Sequence, residues 1–197
     1  MNSRLIYMIE ALVKAGLTLK GETWAFLHVS PQSEIRIRNF FIEKHNIEPR
    51  YVSNNLHLTI YFAEHLFDDL KNNIRNCNHK FSTENARFMV MKPGGENPDP
   101  KLLPAKNKVA IRIQKISSIR EIIEQYRELL TCLETEEILG GRNFSTRTRS
   151  AYGAPNFQPH ITLLKPGNGI KDLQALADDF RENIKVVYFD RFEIKKC

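Results

Sequence analysis

Two short segments of this chain combine a histidine with a threonine two positions later. One segment reads HLTI at 57–60, and the other reads HITL at 160–163. Because a β-strand directs alternate side chains to opposite faces, each segment would place its imidazole and its hydroxyl on one face. The two aliphatic side chains of each segment would then point into a core. The spacing therefore predicts two matching polar faces on buried strands.

Two imidazoles and two hydroxyls in one site suit acid–base chemistry on a phosphoryl group. Imidazole titrates near neutral pH, so one histidine can accept a proton from a nucleophile while the other donates one to a leaving group. The hydroxyls of Thr59 and Thr162 can hydrogen-bond the phosphoryl oxygens. No Asp or Glu lies within three residues of His160, and none follows His57 before Glu64. We therefore expect neither a metal centre nor a cofactor.

A third histidine, His28, nearly matches the same pattern, because Val29 and Ser30 follow it. Pro31 stands where the pattern needs a fourth, apolar strand residue. Ser30 is explained better as the N-cap of a helix that begins with Pro31. We therefore leave His28 out of the predicted catalytic set.

Two aromatic residues could contact a substrate beside these histidines. Trp24 lies in a predicted first strand, where it could stack on a nucleobase, although a core position is the alternative. Tyr61 follows Thr59 by two residues, so strand alternation predicts that it shares the face of His57.

A basic loop leads into the second histidine segment. Residues 140–158 contain Arg147, Arg149 and Tyr152 and no acidic residue. Such a loop could clamp an anionic substrate, and the alternative is a solvated loop with incidental arginines.

The elements that must position these residues occur in a similar order in the two halves of the chain. Apolar patterning and turn formers predict strand, helix, strand, helix and strand twice over. The first set covers about 23–29, 31–44, 56–62, 65–77 and 86–91, and the second covers about 108–114, 118–133, 160–164, 170–184 and 186–194. A Pro- and Gly-rich loop at 93–107 separates them. This duplication predicts two pseudo-symmetric lobes that face each other across a cleft.

Length and composition limit the remaining possibilities. The 197 residues suit one domain at 21–197, preceded by an amphipathic helical extension at 1–20. Three cysteines at unrelated spacings exclude a disulfide framework and favour a reducing compartment, so we expect a cytoplasmic protein. No apolar run is long enough to cross a membrane. The formal charge of +6 is compatible with an anionic ligand such as a nucleotide.

The paired segments resemble the two H-x-[TS]-x motifs of the 2H phosphoesterase superfamily, which includes LigT-like RNA phosphodiesterases and cyclic nucleotide phosphodiesterases. Pro159, before His160, is also common in the second motif of that family. The resemblance covers about residues 22–195. It implies an α+β fold of two lobes, each with an antiparallel sheet and flanking helices around a central cleft. It also implies that His57 and His160 act as acid and base.

The same resemblance implies that Thr59 and Thr162 hold the phosphate and that no metal takes part. The substrate would be a 2′,3′-cyclic phosphate, a 2′,5′-linked nucleotide, an RNA end or a cyclic oligonucleotide. Residues 35–60 also resemble phage anti-CBASS nucleases of the superfamily, which makes a cyclic oligonucleotide one alternative. A nucleotide- or RNA-binding module without turnover is the other main alternative. We expect a monomer without a membrane partner.

Overall fold

The computed structural model describes residues 23–63, 73–84, 86–92, 99–139 and 158–197. Within these ranges the chain forms three α-helices and seven β-strands. The helices are α1 (Pro31–Asn39), α2 (Ser118–Leu139) and α3 (Leu173–Asn183). The strands are β1 (Thr23–Val29), β2 (His57–Ala63), β3 (Asn73–Ser82), β4 (Arg87–Met91), β5 (Lys108–Arg112), β6 (His160–Leu164) and β7 (Val186–Lys196). The predicted α+β class is confirmed.

All seven strands belong to one antiparallel sheet in the order β3-β7-β1-β2-β6-β5-β4. Strands β2 and β6 lie at its centre and pair at Leu58 and Ile161. From this central pair outwards, β1 and β7 follow on one side, and β5 and β4 follow on the other. The last strand of each half of the chain therefore lies beside the first strand of the other half, with β3 added at one edge.

The helices cover one face of this sheet. Ile37 of α1, Ile123 of α2 and Phe180 of α3 belong to the same buried cluster as Leu58 and Ile161. The ring of Phe180 lies 5.3 Å from that of Phe88 on β4 and 6.0 Å from that of Phe41, which follows α1. Burial of such side chains supplies most of the stabilisation of a domain this size. The opposite face is consequently free of α1, α2 and α3.

Local sequence signals explain where two of the helices begin. The Ser30 hydroxyl accepts a hydrogen bond from the backbone N–H of Ser33, and Pro31 occupies the first turn of α1, as predicted. Asp172 caps α3, where one carboxylate oxygen accepts hydrogen bonds of 2.9 Å from the N–H groups of Gln174 and Ala175. After α1 the chain continues in a π-helical turn at Phe40–Lys44.

The predicted helix at 65–77 is wrong in its second part. Residues 64–72 lie outside the described part of the chain, but Asn73–Ser82 forms strand β3. β3 pairs along the eleven-residue strand β7, which supplies its backbone hydrogen bonds. Three asparagines at 73, 76 and 78 are poor helix formers and were the local signal against a helix.

Several predicted segments lie outside the described residues. They are the helical extension at 1–20, residues 93–98 of the loop at 93–107 and nearly all of the basic loop at 140–158. Among the helices that the structure does describe, none is long and apolar enough to cross a membrane.

Candidate active site

The two histidine–threonine segments lie side by side on the helix-free face of the sheet. Leu58 of β2 is aligned with Ile161 of β6, and both side chains are completely buried in the helix-covered core. Continuing this antiparallel register by one residue either way places Thr59 beside His160 and His57 beside Thr162. Since alternate residues point to opposite faces, all four polar side chains share the other face.

The two histidines are held by the same kind of hydrogen bond. The Nδ1 atom of His57 lies 2.8 Å from the carbonyl oxygen of Asn55, and that of His160 lies 2.9 Å from the carbonyl oxygen of Gln158. A carbonyl oxygen only accepts, so each Nδ1 carries a proton and donates it. In its neutral form each imidazole then has an unprotonated Nε2, the atom that can take up a proton.

The two imidazoles differ in their surroundings. His57 is exposed to solvent, whereas His160 is half-buried. Burial lowers the pKa of His160, and the charges of His57 and Lys108 lower it further, although the hydrogen bond to the Gln158 carbonyl acts in the opposite direction. His160 is therefore neutral over a wider range of pH than an ordinary histidine.

The threonine hydroxyls are available to a ligand. Thr59 and Thr162 are both half-buried. Among the described residues, neither hydroxyl takes part in a hydrogen bond. Both hydroxyls can therefore donate a hydrogen bond to a polar ligand on this face.

Aromatic side chains extend the site along β1. The rings of Trp24 and Phe26 are 5.9 Å apart and nearly parallel, and Phe62 of β2 lies 4.3 Å from Trp24. Phe26 also meets the ring of His57 edge-on at 4.9 Å. All three aromatic residues are half-buried, and Trp24 and Phe26 alternate onto the same face as His28. Trp24 therefore contacts Phe26 and Phe62, while Phe26 is the ring that meets His57, and stacking of a nucleobase on Trp24 stays a prediction.

Tyr61 does not share that face, contrary to the prediction. A β-bulge places Ala25 opposite Tyr61 but Phe26 opposite Thr59, so Ile60 is an extra residue on β2. The bulge reverses the alternation beyond it. Tyr61 is consequently 1% exposed and packs in the core with Ala25, and Phe62 takes the position on the polar face.

His28, which was left out of the predicted catalytic set, lies next to His57. The two residues are aligned across β1 and β2, with their ring centres 6.1 Å apart. The Nε2 atom of His28 lies 2.6 Å from a carboxylate oxygen of Glu193 on β7. Burial lowers the pKa of His28, as does the charge of Arg191, while Glu193 raises it. Because its Nε2 is engaged by Glu193, His28 differs from the two histidines of the paired segments.

Positive charges flank the histidine pair on both sides. Arg112 of β5 is aligned with His160, and Arg87 of β4 is aligned with Arg112. On the other side, Arg191 of β7 is aligned with His28. Strand alternation puts His28 on the same face of β1 as Trp24 and Phe26, and this was the sequence signal for His28. The positions of the arginines follow only from strand pairing.

The predicted substrate-contacting residues of the basic loop lie outside the described residues; they are Arg147, Arg149 and Tyr152. Within the described ranges, no group of three or more His, Cys, Asp or Glu side chains is arranged so that it could hold a metal ion. Cys77 and Cys197 are free thiols.

No protein-family model matches the chain, and no curated protein matches it at a significant level. The site must therefore be interpreted from its own geometry.

Proposed function

We propose that this protein is a 2H-type phosphodiesterase that cleaves a nucleotide phosphodiester, with His57 and His160 as the acid–base pair. One observation carries this proposal. Two imidazoles on adjacent strands each donate Nδ1–H to the backbone carbonyl two residues earlier, which leaves both Nε2 atoms on the face that also carries the two threonine hydroxyls. Binding alone does not require two imidazoles fixed in the same way.

The strand order supports a two-lobed architecture for this enzyme. Outwards from the centre, the order is β2-β1-β7 on one side and β6-β5-β4 on the other. Each side therefore consists of the motif strand of one half, the first strand of that half and the last strand of the other half. The duplicated motifs lie at equivalent places in this order, with His57 aligned with His28 and His160 aligned with Arg112. The cleft of the proposed bilobal fold would lie over this central pair.

The different surroundings of the histidines suggest their roles. His160, whose pKa is lowered by burial, is the proposed general base. Its Nε2 takes the proton of a water molecule or a ribose hydroxyl as that oxygen forms a bond to phosphorus. His57 is the proposed general acid, which gives a proton to the oxygen whose bond to phosphorus breaks. Because His57 is exposed, solvent can restore its proton after each turnover.

The remaining polar and aromatic groups would bind the rest of the substrate. Thr59 and Thr162 would donate hydrogen bonds to the non-bridging phosphoryl oxygens, whose negative charge makes such bonds stronger than neutral ones. Phe26 lies next to His57, and the half-buried ring of Trp24 stacks on Phe26. Base–aromatic stacking contributes about 1–3 kcal/mol per base, so these rings would hold the nucleobase beside the reacting phosphate.

A substrate panel in the presence of EDTA tests the proposed function. The panel contains nucleoside 2′,3′-cyclic phosphates, 2′,5′-linked and 3′,5′-linked dinucleotides and cyclic dinucleotides, each with its 2′-deoxy counterpart where one exists. We expect at least one ribonucleotide to be cleaved at a rate that EDTA does not change. Chromatographic separation of products would also show which phosphorus–oxygen bond is broken.

Two results would contradict the proposal. Binding of several panel members without cleavage of any would favour the binding module. Loss of cleavage in EDTA, restored by one divalent cation, would show that a metal ion, and not the imidazole pair alone, drives the chemistry.

A further inference from the structure

We propose that Arg87 and Arg112 form a binding site for a second phosphate group, adjacent to the phosphate held at the histidine pair. The inference rests on the proposed function for its first phosphate. It adds that the preferred substrates carry another phosphate, as an oligonucleotide or a nucleoside bisphosphate does.

Strand pairing places the two arginines in line with the proposed base. Arg112 is the residue of β5 aligned with His160, and Arg87 is the residue of β4 aligned with Arg112. Their neighbours Ile111 and Phe88 are aligned with each other in the helix-covered core, so the arginines lie on the opposite face with His160. Since neighbouring strands are about 4.8 Å apart, the backbone of Arg87 lies roughly 10 Å from that of His160.

The arginine pair lacks a counter-ion in the described structure. Two like charges directly opposite each other on neighbouring strands destabilise a sheet. Within the described residues, no acidic side chain lies within ion-pair distance of Arg87 or Arg112. An anion bound between the two guanidinium groups would remove this repulsion.

The space beside the arginines is large enough for a phosphate group. Both residues line a cavity of about 560 Å³ at the β4 edge of the sheet, whose lining also includes Lys171, Asp99 and Asp172 and, from the helix-covered side, Phe88 and Leu173. The two carboxylates of this cavity are engaged by backbone N–H groups. Asp172 caps α3, and one oxygen of Asp99 accepts a hydrogen bond of 2.9 Å from the N–H of Lys101. Three cationic side chains face two carboxylates, so the lining of this cavity carries a formal net charge of +1.

Phosphate is the anion that this geometry favours. Guanidinium groups can donate two parallel hydrogen bonds to a phosphate, and two guanidinium groups can hold it from both sides. Because Arg112 is aligned with His160, we expect the second phosphate to belong to the same ligand as the first. A nucleoside that joins the two phosphates would span the distance from β6 to β4.

Binding of two matched nucleotides tests the second site. Isothermal titration calorimetry compares adenosine 3′-phosphate with adenosine 3′,5′-bisphosphate on the wild-type protein and on Arg112→Gln and Arg87→Gln. Arg75→Gln is the control, because Arg75 is exposed on the edge strand β3 and is aligned with Phe192 of the helix-covered core. It removes the same charge from the other face of the sheet.

We expect the wild-type protein to bind the bisphosphate about tenfold more tightly, as a charged hydrogen-bonding group allows. Each of Arg112→Gln and Arg87→Gln should reduce that ratio about fivefold or more and leave binding of the monophosphate within about twofold. Arg75→Gln should leave both affinities unchanged. Arg87 is exposed at the end of the aligned row, so its replacement tests the site even if Arg112→Gln perturbs the sheet.

Equal affinity of the wild-type protein for the two nucleotides would overturn the second site. An equal loss of the ratio in Arg75→Gln would also overturn it, because the effect would then come from overall charge. These outcomes are distinct from failure of the proposed function. Preference for the bisphosphate without cleavage of any panel member would support the arginine site and contradict the proposed phosphodiesterase activity.

Discussion

At the scale of single residues, the hydrogen bond from each imidazole to a backbone carbonyl is the feature most closely tied to chemistry. It fixes the ring and leaves Nε2 of His57 and His160 on the polar face. The two residues differ in burial, and this difference separates the proposed acid from the proposed base.

Replacing either histidine of the pair tests this division of roles. We expect His57→Ala and His160→Ala each to lower kcat by about 10²–10⁴-fold, the usual contribution of a general acid or base. His45→Gln is the control, since His45 contacts Asp179 of α3. Initial rates with the best panel substrate give the measurement. Full activity in either alanine variant would contradict a two-histidine mechanism.

The threonine hydroxyls are tested by a pair of substitutions at each position. Thr59→Val and Thr162→Val remove the hydroxyl but keep the branched shape, and Thr→Ser keeps the hydroxyl. We expect the valine variants to lose about 1–3 kcal/mol of transition-state stabilisation in kcat/KM, the cost of leaving a phosphoryl oxygen unpaired. The serine variants should stay close to wild type. Equal effects of Val and Ser would remove the hydroxyls from the site.

At the scale of elements, helix α1 positions the turn that precedes the first motif. The two carboxylate oxygens of Glu34 accept hydrogen bonds from the backbone N–H groups of Asn55 and Leu56, at 2.8 and 3.0 Å. Arg38 of the same helix donates a hydrogen bond of 2.9 Å to the carbonyl of Ser53. Asn55 has a φ of +53°, in the left-handed region, and its carbonyl holds His57. Glu34 therefore fixes the ring of His57 indirectly.

Removal of the Glu34 carboxylate should loosen this turn. We expect Glu34→Ala to lower kcat roughly tenfold with little change in KM, because about 1–3 kcal/mol of hydrogen bonding to the turn is lost. Glu43→Ala, an exposed change shortly after the same helix, is the control. A change in KM without a change in kcat would show that α1 does not position His57. Equal effects of Glu34→Ala and Glu43→Ala would show the same.

At the scale of the whole molecule, burial of histidines links stability to pH. Burial lowers the pKa values of His28, His79 and His160. In the unfolded chain these residues titrate near the ordinary value of about 6.5, so between that value and their lower folded values the unfolded state binds more protons. Their contribution to stability is present above about pH 6.5 and is lost as pH falls through the folded values.

Urea unfolding at several pH values measures this linkage. We expect the free energy of unfolding to be lower at pH 5.5 than at pH 7.5, and His79→Gln to have a shallower dependence. The lowered pKa of Asp179, which Lys44 and His45 cause, acts at more acidic pH and does not interfere. A free energy of unfolding that is constant or rises towards pH 5.5 would contradict the buried state of these histidines.

The sequence by itself determined the local features. Strand alternation put each histidine and threonine on one face and their aliphatic neighbours in the core, and the structure agrees for both segments. The N-cap at Ser30 and the strand bounds 23–29 and 160–164 follow from residue types within a few positions. These features depend on contacts between near neighbours, so a single sequence records them.

Only the tertiary structure decided which strands lie together. β2 and β6 are about a hundred residues apart in the chain, yet their pairing creates the candidate site. Other strand pairs of the sheet bring His28 and the Arg87–Arg112 pair to the histidines, form β3 beside β7 and, through a bulge in β2, bury Tyr61. Backbone hydrogen bonds between distant strands determine these positions, and no pattern within one segment encodes its partner.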